Sequence, residues 1–303
     1  MTIAQSISTA SRFQLSWRIN WLAYCIVLPA ILIRCAFTIV PMVQTFLLSL
    51  TNKSLTNEGR FTGLTNYFRL AQDSIFLNSL SFTLLYTAAS VILELALGLL
   101  VAMMLMRVAR FKLITNLAML LPWVMAPLLA ATVWKIMYLE HGGILNALLL
   151  DLGIVGEPVH WLSDGNTARI SVTITTVWKN LSWVALIFMA ALGALPRDLY
   201  EAASIDGATA LQKFRHITIP LLKPSIYLVL MFRGMAEVVT FEQIGGLTGG
   251  GPGSATTTLA VYAYQRFFQE LRYGYGSAVN VVLLLVTVAI GGFFAWRLYR
   301  SGR

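Results

Sequence analysis

Apolar residues fall along this chain in long blocks separated by shorter polar stretches. The blocks lie at roughly 21–49, 79–106, 114–138, 169–192, 221–243 and 277–299. A helix needs about 20 mostly apolar residues to cross a bilayer. All of the blocks meet that length, so the pattern predicts an all-α integral membrane protein with six transmembrane helices. The stretches between them, 50–78, 139–168 and 244–276, are too short for a sizeable soluble domain. They carry turn chemistry instead: His141-Gly142-Gly143, Asp164-Gly165-Asn166 and a glycine run over 249–253.

Composition sharpens this picture. The chain of 303 residues is 57% hydrophobic and 12% charged, with a mean hydropathy of +0.73. A soluble domain is typically about 25% charged. The net charge of +9 would suggest nucleic acid in a soluble protein. Here the basic residues sit at the ends of apolar blocks, which is a topology signal. Cys25 and Cys35 share the first block, about 15 Å apart along a helix. They cannot bridge each other and are expected to pack as small apolar residues. The polar stretch before the first block ends at no short cleavable core, which predicts an uncleaved first span.

Charge sets the orientation through the positive-inside rule. With the N-terminus in the cytoplasm, the inner segments hold Arg12, Arg18, Arg107, Arg110, Lys112, Arg197, Lys213, Arg215, Lys223, Arg297, Arg300 and Arg303. The outer segments hold only Lys53, Arg60, Arg69, Arg266 and Arg272. Both termini are therefore expected in the cytoplasm. The domains so predicted are a cytoplasmic tail over 1–20, a first span and outer loop over 21–78, and a core of five spans over 79–303.

The inner loop at 196–220 stands apart. It reads PRDLYEAASIDGATALQKFRHITIP. Asp198 to Ile205 predicts one short helix with a carboxylate in its first turn. Gly207 permits a sharp turn. Ala208 to Ile217 predicts a second helix, ended before Pro220. Small residues Ala202, Ala203 and Ala208 would let another surface approach. An interfacial amphipathic helix with basic residues toward headgroups accounts for the same pattern.

At this loop the chain resembles the binding-protein-dependent ABC importer permeases. Their EAA loop is Glu-Ala-Ala, three residues, Gly, nine residues, then Ile-x-Leu-Pro. Here Glu201-Ala202-Ala203, Gly207 and Ile217-Thr218-Ile219-Pro220 keep that spacing, with Ile219 in place of Leu. LPWVMAPLLAATVWKIMY, GGLTGGGPGSATTTLAVYAYQRFF and YGYGSAVN are similar to the sugar-importer branch, which includes maltose-type and glycerol-phosphate-type subunits. The likeness spans roughly 60–295. It implies a type I permease fold and a second homologous permease subunit. It also implies an ATPase pair at the cytoplasmic face, carrying ATP and magnesium, and an extracytoplasmic binding protein that delivers a sugar-type solute. Glu201, Ala202, Ala203, Gly207, Ile217 and Pro220 would contact the ATPase. No Gly-Lys pair occurs in the chain, so the phosphate-cradling loop that ATP hydrolysis needs is missing. The chain itself is expected to be non-catalytic and to hold no cofactor.

Charges within the spans are the remaining signal: Arg34, Glu94, Lys179, Arg233 and Glu237. Each costs a few kcal/mol at the bilayer centre, so each is expected to face a partner or a pathway. Arg233 and Glu237, four apart on one helix, could neutralise each other, and Lys179 could pair with Glu94. The resemblance implies a further role. Counted from the EAA loop, the sugar-contacting positions fall on Thr176, Lys179, Asn180, Trp183, Arg233, Ala236 and Glu237. Trp183 keeps the aromatic character that stacks on a sugar ring. Lys179, Arg233 and Glu237 depart from the uncharged maltose-type pattern. Two cations at one site suit an anionic sugar or polyol derivative, phosphorylated or sulfonated. A secondary transporter or channel working without ATP is the alternative, and it leaves the EAA loop unexplained.

Overall fold

The computed structural model describes residues 21, 24–107 and 112–301. The tail at 1–20, with Arg12 and Arg18, and also Arg110 and Arg303, lie outside the described residues. Continuous apolar helices are α1 (Tyr24–Ser49), α3 (Ser74–Arg107), α7 (Gly165–Gly193), α9 (Ala210–Val238) and α12 (Tyr273–Ser301). Between them lie α2 (Thr65–Gln72), α4 (Lys112–Val124), α5 (Pro127–Met137), α6 (Ile144–Asp151), α8 (Arg197–Ile205), α10 (Glu242–Leu247) and α11 (Leu259–Tyr264). Among the described residues β-pairing is limited to the isolated bridges Thr51–Phe61 and Ser54–Asn57. Cys25 and Cys35 are both free.

The third apolar block crosses differently from the expectation. It is a pair of helices, α4 and α5, bent by 98°. The cause is proline. Pro122 lies inside α4, and Pro127 opens α5 after Ala126, whose ψ of 138° is extended. A residue before proline is pushed out of the helical region, so the chain turns at Met125–Ala126. Hydropathy counts the block as continuous, because Pro and its neighbours interrupt no apolar run.

The inner loop departs as well. The second loop helix does not end before Pro220. It runs through a π-helical turn at Phe214–Thr218 directly into the fifth span. Pro220 sits in the first turn after that π segment, where a missing N–H is tolerated. The fifth span then stops at Val238. Residues 239–241 turn the chain, and α10 starts a separate short helix.

Lipid is as apolar as leucine, so these helices associate by close packing and not by escape from water. α3 lies along α7, α9 along α12, and α12 against α1. At the α9–α12 crossing, Gly234 meets Ile290 and Gly291 meets Met235. A Cβ on Gly234 would stand 2.9 Å from Ile290, and one on Gly291 would collide with the Met235 sulfur. Glycine on both sides is what lets these backbones approach. Toward the inner loop, Leu99, Ala102, Val184, Phe188, Leu222 and Val229 form one apolar cluster, joined by Phe214 and Ile219. Toward the opposite face, Phe82, Tyr86, Trp134, Tyr138, Val172 and Ile244 form another. Between the two lies a polar belt.

Candidate functional site

The polar belt is built by three helices. α3 supplies Glu94, α7 supplies Thr176, Lys179 and Asn180, and α9 supplies Arg233 and Glu237, all buried. Arg233 grips Glu94 with two hydrogen bonds, Nε to Oε2 at 2.8 Å and Nη2 to Oε1 at 3.0 Å. Its Nη2 also donates to Glu237 one turn further along α9. Glu237 collects further donors: Tyr86 Oη at 2.7 Å, Asn180 Nδ2 at 3.2 Å and Thr240 Oγ1 at 3.3 Å. Thr176 meets Tyr86 Oη at 2.8 Å. Buried charges persist where they are paired and hydrogen-bonded, and this network does both.

The pairing differs from one expectation and agrees with another. Arg233 and Glu237 do meet at i, i+4. Glu94, however, pairs with Arg233 and not with Lys179. Both helices turn their acid and base into the same belt, and Arg can bind a carboxylate through two N–H groups at once, which an ammonium cannot. Lys179 instead sends Nζ to the Trp123 carbonyl at 3.4 Å and makes no ion pair among the described residues. Arg34 is exposed on α1.

A cavity of about 330 Å³ opens beside this network. Lys179, Asn180, Arg233, Ala236 and Glu237 line it, so the structure brings together five of the positions singled out from the sequence. Thr176 lies behind the wall, against Tyr86. Trp183 is half-buried and packs edge-on against Phe232, with ring centroids 6.4 Å apart, away from the cavity. Other lining residues carried no signal in the sequence: Pro127, Thr240, Phe241, Glu242 and Gln243. They come from the kink at α4–α5 and from the turn into α10, neither of which hydropathy shows. Gln243 is buried, and its amide nitrogen has no partner among the described residues. An unmet buried donor costs about 1–3 kcal/mol, and it stands on a cavity wall. Tyr86 was also silent, as a lone tyrosine in an apolar run.

The inner loop carries the other candidate residues. Glu201 and Ala202 are exposed on α8, and Ala203 is half-buried. Gly207 has φ of +76°, the left-handed region that suits glycine. A Cβ there would meet nothing within 4 Å, so backbone geometry and not space asks for glycine. Thr209 caps the next helix through a capping box with Gln212. Lys213 Nζ donates to Ser204 Oγ at 2.6 Å, and Tyr200 Oη meets Thr218 Oγ1 at 3.0 Å. These bonds tie α8 to the start of α9. Ile217 is half-buried and Pro220 exposed. Ile205 and Leu211 remain 87% and 72% exposed on the loop's free face.

A polytopic helical bundle with a polar mid-span cavity and a braced loop at one end defines a membrane transport subunit. The chain belongs to the family described as binding-protein-dependent transport system inner membrane component, whose pattern it matches over residues 94–300. It is 35% identical to the trehalose/maltose transport system permease protein MalF of Thermococcus litoralis, over 91% of this chain and 93% of that one. It is 34% identical to the sulfoquinovosyl glycerol transport system permease protein SmoG of Agrobacterium fabrum, over 89% and 87%. Its fold matches a bacterial ABC transporter solved for import of the acidic polysaccharide alginate, with a TM-score of 0.82 at 23% identity, covering 95% of this chain and 99% of that one. Family membership makes this a multi-pass ABC importer permease and leaves the ATP-independent reading without support.

Proposed function

We propose that this chain forms one half of the pathway of an importer for a sugar or polyol derivative carrying a negative charge. A second, homologous permease subunit forms the other half. Two separate ATPase chains, holding ATP and magnesium, dock beneath the EAA loop. An extracytoplasmic binding protein delivers the solute from the other face, with both termini of this chain in the cytoplasm. Glu201, Ala202, Ala203, Gly207, Ile217 and Pro220 take the ATPase stroke, and Lys179, Asn180, Arg233 and Glu237 face the solute.

One observation carries this reading: the helix that starts in the loop also carries the cavity's charged wall. The ammonium of Lys179 supports the anionic part, since it lines the cavity without an ion pair among the described residues, whereas Arg233 is engaged by two carboxylates. Gln243 offers a neutral donor beside it. SmoG and MalF, named for a sulfonated and a neutral sugar solute, frame the two alternatives. Reconstitution with the ATPase, the second permease and the matching binding protein tests it. Lys179→Gln is expected to lower uptake of a phosphorylated or sulfonated sugar about tenfold, the weight of one charge-assisted hydrogen bond. Neutral-sugar uptake should be unchanged. Equal loss for both solutes would remove the anionic assignment.

A further inference from the structure

The face opposite the EAA loop holds a second cavity, of about 320 Å³, well away from the polar belt. It lies at the ends of the first and last spans. Lys53, Arg69 and Arg272 line it, with Asn52, Asn66 and Tyr275 between them. Among the described residues no carboxylate is part of its wall. Glu270 approaches Arg272 at 3.6 Å from beside the cavity and is already engaged by Arg266. Lys53 and Arg69 make no ion pair among the described residues and are exposed.

The frame around these cations is stiff. Asn66 Nδ2 donates to the carbonyls of Ser49 and Thr51, both at 2.8 Å. Gly274 N donates to Lys53 O at 2.9 Å, and Leu55 N to Leu271 O at 3.0 Å. Tyr67 Oη meets Ser49 Oγ at 2.7 Å. The 50–64 loop is thereby stapled to α2 and to the start of α12, which fixes the backbone that carries these cations.

Position and surroundings select the ligand. Lys53 follows the end of α1 by four residues, and Arg272 directly precedes α12, so the cavity sits at the membrane–water boundary. Leu55, Phe61, Leu64 and Phe68 are all more than half exposed around it. Below it, the hydropathic core of α1 is 0% buried and that of α12 only 17% buried. Cations above an apolar wall match a phosphate group above acyl chains.

We propose that this cavity binds the headgroup of an anionic phospholipid, with Lys53 and Arg69 on the phosphodiester and the acyl chains along α1 and α12. The proposal rests on the membrane reading of the fold, and not on the solute or on which side is cytoplasmic. Native mass spectrometry of the full chain, released from detergent with added phosphatidylglycerol or phosphatidylcholine, tests it. Wild type should prefer phosphatidylglycerol. Each cation near an anionic headgroup contributes about fivefold in affinity, so Lys53→Gln/Arg69→Gln should reduce that preference by about 25-fold. Lys213→Gln, on the opposite face, should leave it intact. Both altered side chains are exposed, so the thermal midpoint should not move. An undiminished preference in the double variant would overturn the proposal. So would a double variant that loses affinity for the extracytoplasmic binding protein in pure phosphatidylcholine nanodiscs, since the cations would then serve protein docking. Retained binding-protein affinity there, with the lipid preference lost, supports the headgroup site.

Discussion

The polar belt and the EAA loop are opposites in construction. The belt is buried, and almost every polar atom in it is met by another from a distant part of the chain: Arg233 and Glu94 lie 139 residues apart. The loop is exposed, its bonds are local, and its apolar tips Ile205 and Leu211 stand largely in the open. A buried ionic network answers to its own protein's stability. On the proposed function the loop answers instead to the surface of the ATPase that docks on it. The two should therefore fail in different ways when altered.

Arg233→Met gives the largest expected effect. It leaves Glu94 and Glu237 facing each other without a cation, and removing one partner of a buried pair costs about 3–5 kcal/mol. The thermal midpoint of the purified chain should fall sharply, and an unchanged midpoint would show that the belt is not structural. Tyr86→Phe removes one hydrogen bond to the Glu237 carboxylate and should cost about 2 kcal/mol in the same assay. Gly207→Asp belongs to the loop. Its left-handed φ costs about 1 kcal/mol for a residue with a Cβ. The fold should persist while ATPase coupling and transport are lost. Normal transport by that variant would break the contrast between the two regions.

The smallest expected effect lies at Asp73, between α2 and α3. Burial pushes its carboxyl up, but the hydroxyls of Tyr262 and Tyr275 and the N–H groups of Phe76 and Ile75 outweigh that and hold it below the ordinary carboxylate range. With the folded value below the unfolded one, the stabilisation is fully present above about pH 4 and is lost as pH falls below it. Asp73→Asn should flatten the acid limb of the stability profile. An identical acid limb in wild type and variant would refute the assignment.

Legibility in the sequence followed the same division. The EAA loop was readable because its constraint is local: Glu201-Ala202-Ala203 and Gly207 keep a spacing within one segment, and Gly207 does sit at a turn between two helices, with φ of +76°. The spans were readable because lipid demands apolar length. The belt was visible only as anomalies. Glu94, Lys179, Arg233 and Glu237 stood out as charges in apolar runs, but nothing in their spacing chose Glu94 as the partner of Arg233 over Lys179. Tertiary packing made that choice. The bend at Met125–Ala126 was hidden for another reason. Pro122 and Pro127 are compatible with a membrane block by composition, and only their backbone geometry turns the chain. Gln243 and Glu242 reach the cavity through the turn after Val238, so their role depends on where a helix stops, which periodicity defines poorly.

The unbroken course of α9 has a mechanical meaning. From Ala210 in the loop to Arg233 in the belt it spans about 35 Å at 1.5 Å per residue. Proline does not sever it, and the glycine contact with α12 gives it a bearing near its far end. Such a rod works as a lever. Pivoted there, a tilt of about 3° would sweep its loop end by about 1.8 Å, within the range of helix shifts at subunit interfaces. The single π turn at Phe214–Thr218 is then the place where the lever would flex, and stiffening or loosening it should change the gearing between the two ends without touching either.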